Sequence, residues 1–183
     1  MTKRKDRYRK FKKESKRIKL TDGTLFDKIR IHEAVDGKTI KKKRSKDFEP
    51  EYTFKSWYDI NPEPKWKGVR NKDKKIVMSS DPEIGISLSH MGVWKDIVKN
   101  KTPYTLILED DFTVDVGFQT NLKNAWDELP KDFDVFYLSY LQSSDGFKFD
   151  FYKNNLLKIH KGIWWLSGYI LSYEGAKKLI DNF

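Results

Sequence analysis

Cysteine is absent from this 183-residue chain, which excludes a disulfide framework, a thiolate nucleophile and a thiolate zinc site. Histidine is scarce, and His32, His90 and His160 are scattered. A metal bound here would therefore sit on oxygen, which favours magnesium, manganese or calcium over zinc or copper. No apolar run approaches the ~18 residues of a membrane helix, and the basic N-terminal stretch lacks the apolar core of a secretory signal. With no visible signal and no cysteine, the default compartment is the cytoplasm. Gly-x-x-x-x-Gly-Lys-Ser/Thr and Gly-x-Gly-x-x-Gly are both missing, so neither a P-loop nor a dinucleotide fingerprint is present, and no Gly-x-Ser-x-Gly elbow occurs.

Hydrophobic residues make up only 38% of the chain and charged ones 35%, but aromatics reach 15%. Apolar surface thus comes largely from Phe, Tyr and Trp, enough to argue against disorder and for one α/β domain spanning 1–183. The net charge of +10 is concentrated at one end, because residues 1–46 hold 19 Lys and Arg against 6 Asp and Glu, or +13, leaving −3 for the rest. A basic end attracts phosphates of any kind, including nucleic acid, membrane surfaces and nucleotide diphosphates.

Thr2 to Arg17 reads as a weakly amphipathic helix with Tyr8, Phe11, Ser15 and Ile18 on one thin face. A turn at Thr21-Asp22-Gly23 precedes a short strand at Ile29 to Ile31, and Asp36-Gly37 makes a tight turn. The stretch from Lys41 to Asp81 is irregular. Its Phe48, Tyr52, Phe54, Trp57, Tyr58 and Trp66 either fill the core or stack on a sugar or base. Asp81-Pro82-Glu83 predicts a helix start with Asp81 as N-cap. The helix runs to Lys99, with Ile84, Leu88, Met91 and Val98 on one face, Ile86, Val93 and Ile97 on the other, and Ser87, His90 and Trp94 between. A strand ending near Leu108, a helix over Val116 to Leu129 and a strand over Phe133 to Leu138 follow. That alternation predicts parallel pairing. Further on, Leu156 to His160 reads as a strand, Trp164 to Leu171 is an apolar and aromatic run, and Ser172 is placed to cap a last helix, Tyr173 to Asp181.

The stretch Tyr104 to Asp111, Tyr-Thr-Leu-Ile-Leu-Glu-Asp-Asp, ends a short apolar run in three consecutive carboxylates. Crowded, partly buried carboxylates need a cation, or they protonate. In an extended chain Glu109 and Asp111 project to one side and Asp110 to the other. Two carboxylates on one face suit a divalent metal; a solvated strand end would look the same. In α/β folds ligands bind at the carboxyl ends of strands, which is where these acids lie.

Glu83-Ile84-Gly85-Ile86-Ser87-Leu88-Ser89-His90 followed by Trp94, then Leu106 to Asp111, resembles glycosyltransferase family 25. Ala34-Val35-Asp36-Gly37, Phe133 to Leu138, Gly168 to Ser172 and Gly175-Ala176-Lys177-Lys178-Leu179 are similar to further family blocks in the same order, and Arg4, Asp6, Arg7 and Phe11 resemble its basic stretch. The resemblance implies a GT-A-like, mainly parallel sheet flanked by helices, here without the usual first strand and shortened after the last block. It also implies transfer of a hexose from a nucleotide-sugar donor, usually uridine-diphosphate-linked, to a glycan or protein hydroxyl acceptor, with manganese or magnesium as cofactor. By the same resemblance Asp111 and Glu109 are the metal ligands, with Glu109 alternatively on the ribose. Asp110 and His90 are the catalytic candidates. Arg7, Asp36, Gly37, Ser89, Glu109 and Gly168 belong to the donor pocket. The rival class is a glycosyltransferase-like binding or adhesion protein that does not turn over. Nucleic-acid binding through residues 1–46 ranks last, since the rest of the chain is slightly acidic.

Overall fold

A computed structural model describes residues 4–40, 51–53, 76–78, 81–142, 147–154, 156–161, 163–164 and 167–182. The basic run Lys41 to Arg44 and the aromatics Phe48, Phe54, Trp57, Tyr58 and Trp66 lie outside them. The architecture is mixed α/β. Helix α1 (Lys5–Arg17) leads through a hairpin of β1 (Lys19–Leu20) and β2 (Gly23–Thr24) into the one-turn helix α2 (Leu25–Lys28), and a 3-10 turn covers Gly37–Thr39. Strands β3 (Glu51–Thr53) and β4 (Ile76–Met78) pair with each other, and the long helix α3 (Asp81–Asn100) follows.

The central sheet contains β5 (Tyr104–Leu108), β6 (Val135–Tyr137) and β11 (Gly168–Ser172) in the order β5, β11, β6. Helix α4 (Phe118–Glu128) connects β5 to β6. The expectation of a mainly parallel sheet is corrected here, because every strand pair among the described residues is antiparallel. Strands β5 and β6 do run in the same direction, as a helical connection favours. They are not neighbours, because β11 lies between them and runs the opposite way. The sequence of β11, Gly-Tyr-Ile-Leu-Ser, explains its position: all five residues are buried, which suits a central strand covered on both faces.

Alternation along the strands sorts the two faces. Ile107, Tyr169 and Leu171 join Met91, Trp94 and Ile97 of α3 and Ala176 of α5 (Tyr173–Asp181) in the main core. Leu108 faces the other side, into a second cluster where Phe11 of α1 meets Phe112 edge to face at 5.4 Å, with Ile18 buried beside them. This second cluster holds α1 against the end of β5, beside the three acids. Ser172 caps α5 as expected, accepting from Gly175 N–H at 3.0 Å.

Several local expectations change. Ile29 to Ile31 forms no strand; Ile29 instead packs into the second cluster. Asp81 is the first residue of α3 rather than its cap. Of the two predicted apolar faces of α3, Ile86 is half exposed, whereas the strip between them carries the buried His90 and Trp94. Between β6 and β11 the chain forms a hairpin of β8 (Lys148–Lys153) and β9 (Leu156–Lys161), reached through β7 (Leu141–Gln142) and left through β10 (Ile163–Trp164), which pair with each other. Among the described residues no helix is long and apolar enough to cross a membrane.

Candidate functional site

Strand β5 stops at Leu108, and Glu109 to Asp111 form a turn in which Phe112 N–H reaches back toward Glu109 O at 3.5 Å. The strict in-out alternation expected for the acids therefore does not extend past Leu108. Glu109 is nevertheless fixed at its backbone, since its N–H donates to Ser167 O at 3.0 Å, one residue before β11. Strand pairing thus continues just far enough to hold the first acid.

The cation these acids require comes in part from α1. Arg7 Nη1 donates to Asp110 Oδ1 at 2.8 Å and lies 3.9 Å from Asp111 Oδ2. Lys10, one turn later, approaches Asp111 O at 3.5 Å. Phe11, one turn after Arg7 on the same side of the helix, anchors α1 in the second cluster, so one short helix supplies both the anchor and the counter-charge. A second strut is Glu14, a buried carboxylate that accepts from Val114 N–H at 3.0 Å and from Arg17 Nη1 at 2.6 Å. The bond from the Val114 amide, ahead of the Arg17 guanidinium, holds the Glu14 carboxyl below its ordinary range.

The segment Ala34 to Lys38 lies against the start of α3, and two glycines make this possible. A Cβ on Gly37 would stand 1.7 Å from Asp81 O, and one on Gly85 would stand 2.7 Å from Val35 O. Only residues without side chains allow the two backbones to approach so closely. Ser89 clasps the contact by accepting from Val35 N–H at 2.8 Å and donating to Gly85 O at 2.6 Å. Its hydroxyl therefore has a local structural task, and Asp36 in turn caps the 3-10 turn by accepting from Lys38 N–H at 3.0 Å.

Behind Glu109 lies a buried polar chain. Tyr169 OH is 2.7 Å from His90 Nδ1 and accepts from Trp94 Nε1 at 3.0 Å, while His90 Nε2 is 3.5 Å from Glu109 Oε1. The Tyr169 and His90 rings also stack, with centroids 5.7 Å apart. Burial pushes the Tyr169 hydroxyl well above its ordinary value, against the opposing effect of the Trp94 bond, so it remains a phenol at all ordinary pH.

Two clefts meet at the acidic turn. One, of about 650 Å³, is bounded by Arg7, Asp36, Gly37, Ser89, His90 and the three acids. The other, of about 830 Å³, is bounded by Lys10, Phe112, Asp115, Phe118, Ser167 and Gly168. Ile86, Leu108, Glu109 and Asp111 line both. The exposed Ile86, anomalous as a helix residue, is thus part of the wall between them.

Of the residues singled out by sequence, all but Gly168 come together in the first cleft, and Gly168 lies in the second. A Cβ on Gly168 would meet the tip of Leu108 at 3.2 Å, so close packing between strands is its evident role. Asp110 lines only the Arg7 side. Among the described residues no group of three or more His, Asp or Glu is arranged to hold a metal ion. Glu109 and Asp111 are two partly exposed hard-oxygen donors. Such a pair fits an ion of the magnesium or manganese kind, which takes its remaining ligands from phosphate and water. Sequence reasoning missed Glu14, whose partner Val114 is distant in sequence, and the link from Trp94 through Tyr169 to His90. The only signal for either was a polar group on an otherwise apolar helix face.

An α/β domain with basic and acidic side chains converging on a strand end between two clefts is of the type that binds a charged small molecule beside a second ligand. Comparison with known proteins makes the class specific. The model of glycosyltransferase family 25, described as a lipopolysaccharide biosynthesis protein family, matches residues 1–183, and the chain belongs to that family. It is 29% identical over 165 residues to procollagen galactosyltransferase 2 of Mus musculus, covering 86% of this chain and 24% of that protein. It is 27% identical over 158 residues to the procollagen lysyl hydroxylase and glycosyltransferase of Acanthamoeba polyphaga mimivirus, covering 82% of this chain and 16% of that protein. The chain thus spans about a quarter or less of the length of these relatives.

Proposed function

We propose that this chain transfers a hexose from a nucleotide sugar, uridine-diphosphate-linked, to a hydroxyl of a glycan or protein acceptor. The observation that carries the reading is the meeting of two clefts at Glu109 and Asp111, with Arg7 across the acidic turn. In the first cleft Arg7 and Lys38 attract the diphosphate, and the backbone wall at Gly37 lets the nucleotide approach closely. The acceptor enters from the second cleft, whose Phe112 and Phe118 offer apolar surface and whose Ser139 and Ser167 offer hydrogen bonds. The sugar's anomeric carbon loses its bond to the diphosphate oxygen and gains one to the acceptor oxygen. Asp110, oriented by Arg7 on the first-cleft side, is the candidate to take the proton of an acceptor hydroxyl that reaches past Glu109 and Asp111 from the second cleft. A manganese or magnesium ion on Glu109 and Asp111 would supply Lewis-acid stabilisation of the charge developing on the diphosphate.

Family membership and the names of the relatives support the class of reaction. Those names make galactose the first hexose to test and a collagen-like peptide the first protein acceptor. The test is calorimetric titration of the intact protein with uridine diphosphate, with and without manganese, alongside transfer and hydrolysis assays with a uridine-diphosphate hexose. Asp111→Asn is expected to lower the metal-dependent nucleotide affinity at least tenfold while the domain remains folded. Absence of both binding and turnover in the unaltered protein sinks the proposal. Binding without turnover would identify a non-catalytic binding protein instead.

A further inference from the structure

We infer that Tyr169 and Trp94 act as positioning residues: they fix the proton of His90 on Nε2, so that the imidazole N–H steers the Glu109 carboxylate at the junction of the two clefts. The role of Glu109 rests on the transferase reading above; the position of the proton on His90 does not.

The proton assignment follows from counting donors and acceptors. Trp94 Nε1 can only donate, and it occupies a lone pair of the Tyr169 oxygen at 3.0 Å. The phenol keeps its hydrogen, and among the described residues its only other hydrogen-bonding neighbour is His90 Nδ1 at 2.7 Å. If Nδ1 carried a proton, the phenol hydrogen would be left without an acceptor in a residue that is 1% exposed, which costs about 1–3 kcal/mol. The satisfied arrangement has the phenol donating to Nδ1, and the ring's own proton then sits on Nε2. That nitrogen is 3.5 Å from Glu109 Oε1, long for a hydrogen bond and short enough to close with a small movement of the partly exposed carboxylate.

The surroundings make the direction of this chain rigid. Tyr169 lies on the fully buried β11, between Ile107 of β5 and Tyr137 of β6. His90 and Trp94 are one turn apart on α3, so both rings present their nitrogens to the same hydroxyl. The backbone of Glu109 is held by Ser167 on the approach to the same strand. The segment Ser167 to Tyr169 therefore fixes Glu109 twice, at its amide through Ser167 and at its carboxylate through Tyr169 and His90. Carboxylates that hold a metal are themselves oriented by outer hydrogen bonds, and losing such a partner costs roughly 10–100-fold in affinity or activity.

Two substitutions separate steering from filling. The amide nitrogen of Gln at position 90 falls near Nε2 and can donate to Glu109, whereas the amide of Asn falls near Nδ1 and can only satisfy Tyr169. With manganese and uridine diphosphate as the probe, His90→Gln is expected to stay within about threefold of the unaltered affinity and His90→Asn to lose roughly 10–100-fold. Equal losses in the two folded variants would overturn the steering role. Nitrogen-15 spectra of histidine-labelled, unaltered protein test the proton position without any ligand. The expected result is a protonated Nε2 and an unprotonated Nδ1 at His90, with Tyr169→Phe exchanging between both forms; a proton on Nδ1 in the unaltered protein overturns the inference. Should the protein bind no nucleotide at all, the transferase reading fails and the spectra still decide the proton assignment.

Discussion

Replacing Glu14 by Gln is the most informative perturbation of the scaffold, because it removes a charge while keeping an acceptor of nearly the same shape. The carboxylate accepts from Val114 N–H and from the Arg17 guanidinium. A hydrogen bond to a charged group contributes about 1.5–3 kcal/mol against about 0.5–1.5 for a neutral one, so each converted bond forfeits roughly 1 kcal/mol. The Arg17 side chain is 44% exposed, and solvent screening reduces its share. The sum is a loss of about 1–2 kcal/mol at pH 7, equivalent to roughly 2–8 °C in Tm for a domain of this size. The sign with pH follows from the direction of the shift. The Glu14 carboxyl titrates below its ordinary value of 4.5 in the folded state, so its stabilisation is complete above that value and fades as pH falls through the lower, folded one. Urea unfolding of both proteins at pH 7, 5 and 4, extended downward while the fold persists, should show the gap closing toward the acid end. A gap that stays constant across that range would mean that the Glu14 charge contributes nothing and that the loss is one of packing.

Three further substitutions probe the walls of the two clefts. Gly37→Ala places a methyl group 1.7 Å from the Asp81 backbone oxygen, which cannot move without disturbing the first turn of α3, and should destabilise by about 1–3 kcal/mol in urea unfolding; Gly168→Ala, which presses only on the tip of Leu108 and otherwise makes an ordinary 3.9 Å contact with Leu138, should cost less than about 1 kcal/mol, and the reverse ranking would refute the backbone-contact argument. Ser89→Ala leaves the Val35 N–H without its acceptor, and amide exchange at Val35 should accelerate roughly 5–150-fold, as a loss of about 1–3 kcal/mol of local protection requires; unchanged exchange would show that the clasp does not hold the segment.

The parts legible in the sequence were those set by neighbours in the chain. The start signal at Asp81-Pro82-Glu83, the Ser172 cap and the acidic end of β5 each depend on a few adjacent residues, and each lies where it was expected to within a residue. The position of β11 between β5 and β6 was not legible, because alternation and burial say which residues form a strand and nothing about which strand it joins. The same gap hid the chain from Trp94 to Glu109, which exists only once Tyr169 stands opposite Ile107. Ile29 to Ile31 misled because two β-branched residues around an arginine look like a strand, whereas the second cluster offered Ile29 a better burial. Strand β8 was missed although Phe147, just before it, and Phe149 and Phe151 within it alternate, with successive ring centroids 4.9 and 5.3 Å apart. The first cleft was legible to the extent that the resemblance named its lining residues, while the reason they converge, two glycines pressing a loop onto a helix, became clear only in three dimensions.

The insertion of β11 also sets a timetable. During synthesis α1, α3 and β5 leave the ribosome first, carrying Arg7, His90 and all three acids. At that stage the amide of Glu109 has no partner and His90 has no hydroxyl to bond, because Ser167 and Tyr169 have not yet been made. Cation and carboxylates can meet early, but the junction of the clefts acquires its final shape only when the late strand β11 pairs with β5 and β6, whose only strand partner it is among the described residues. Completion of the site is consequently a late event, and a nascent chain interrupted within the β8–β9 hairpin would display the acidic motif with Arg7 in reach but without the segment that fixes Glu109.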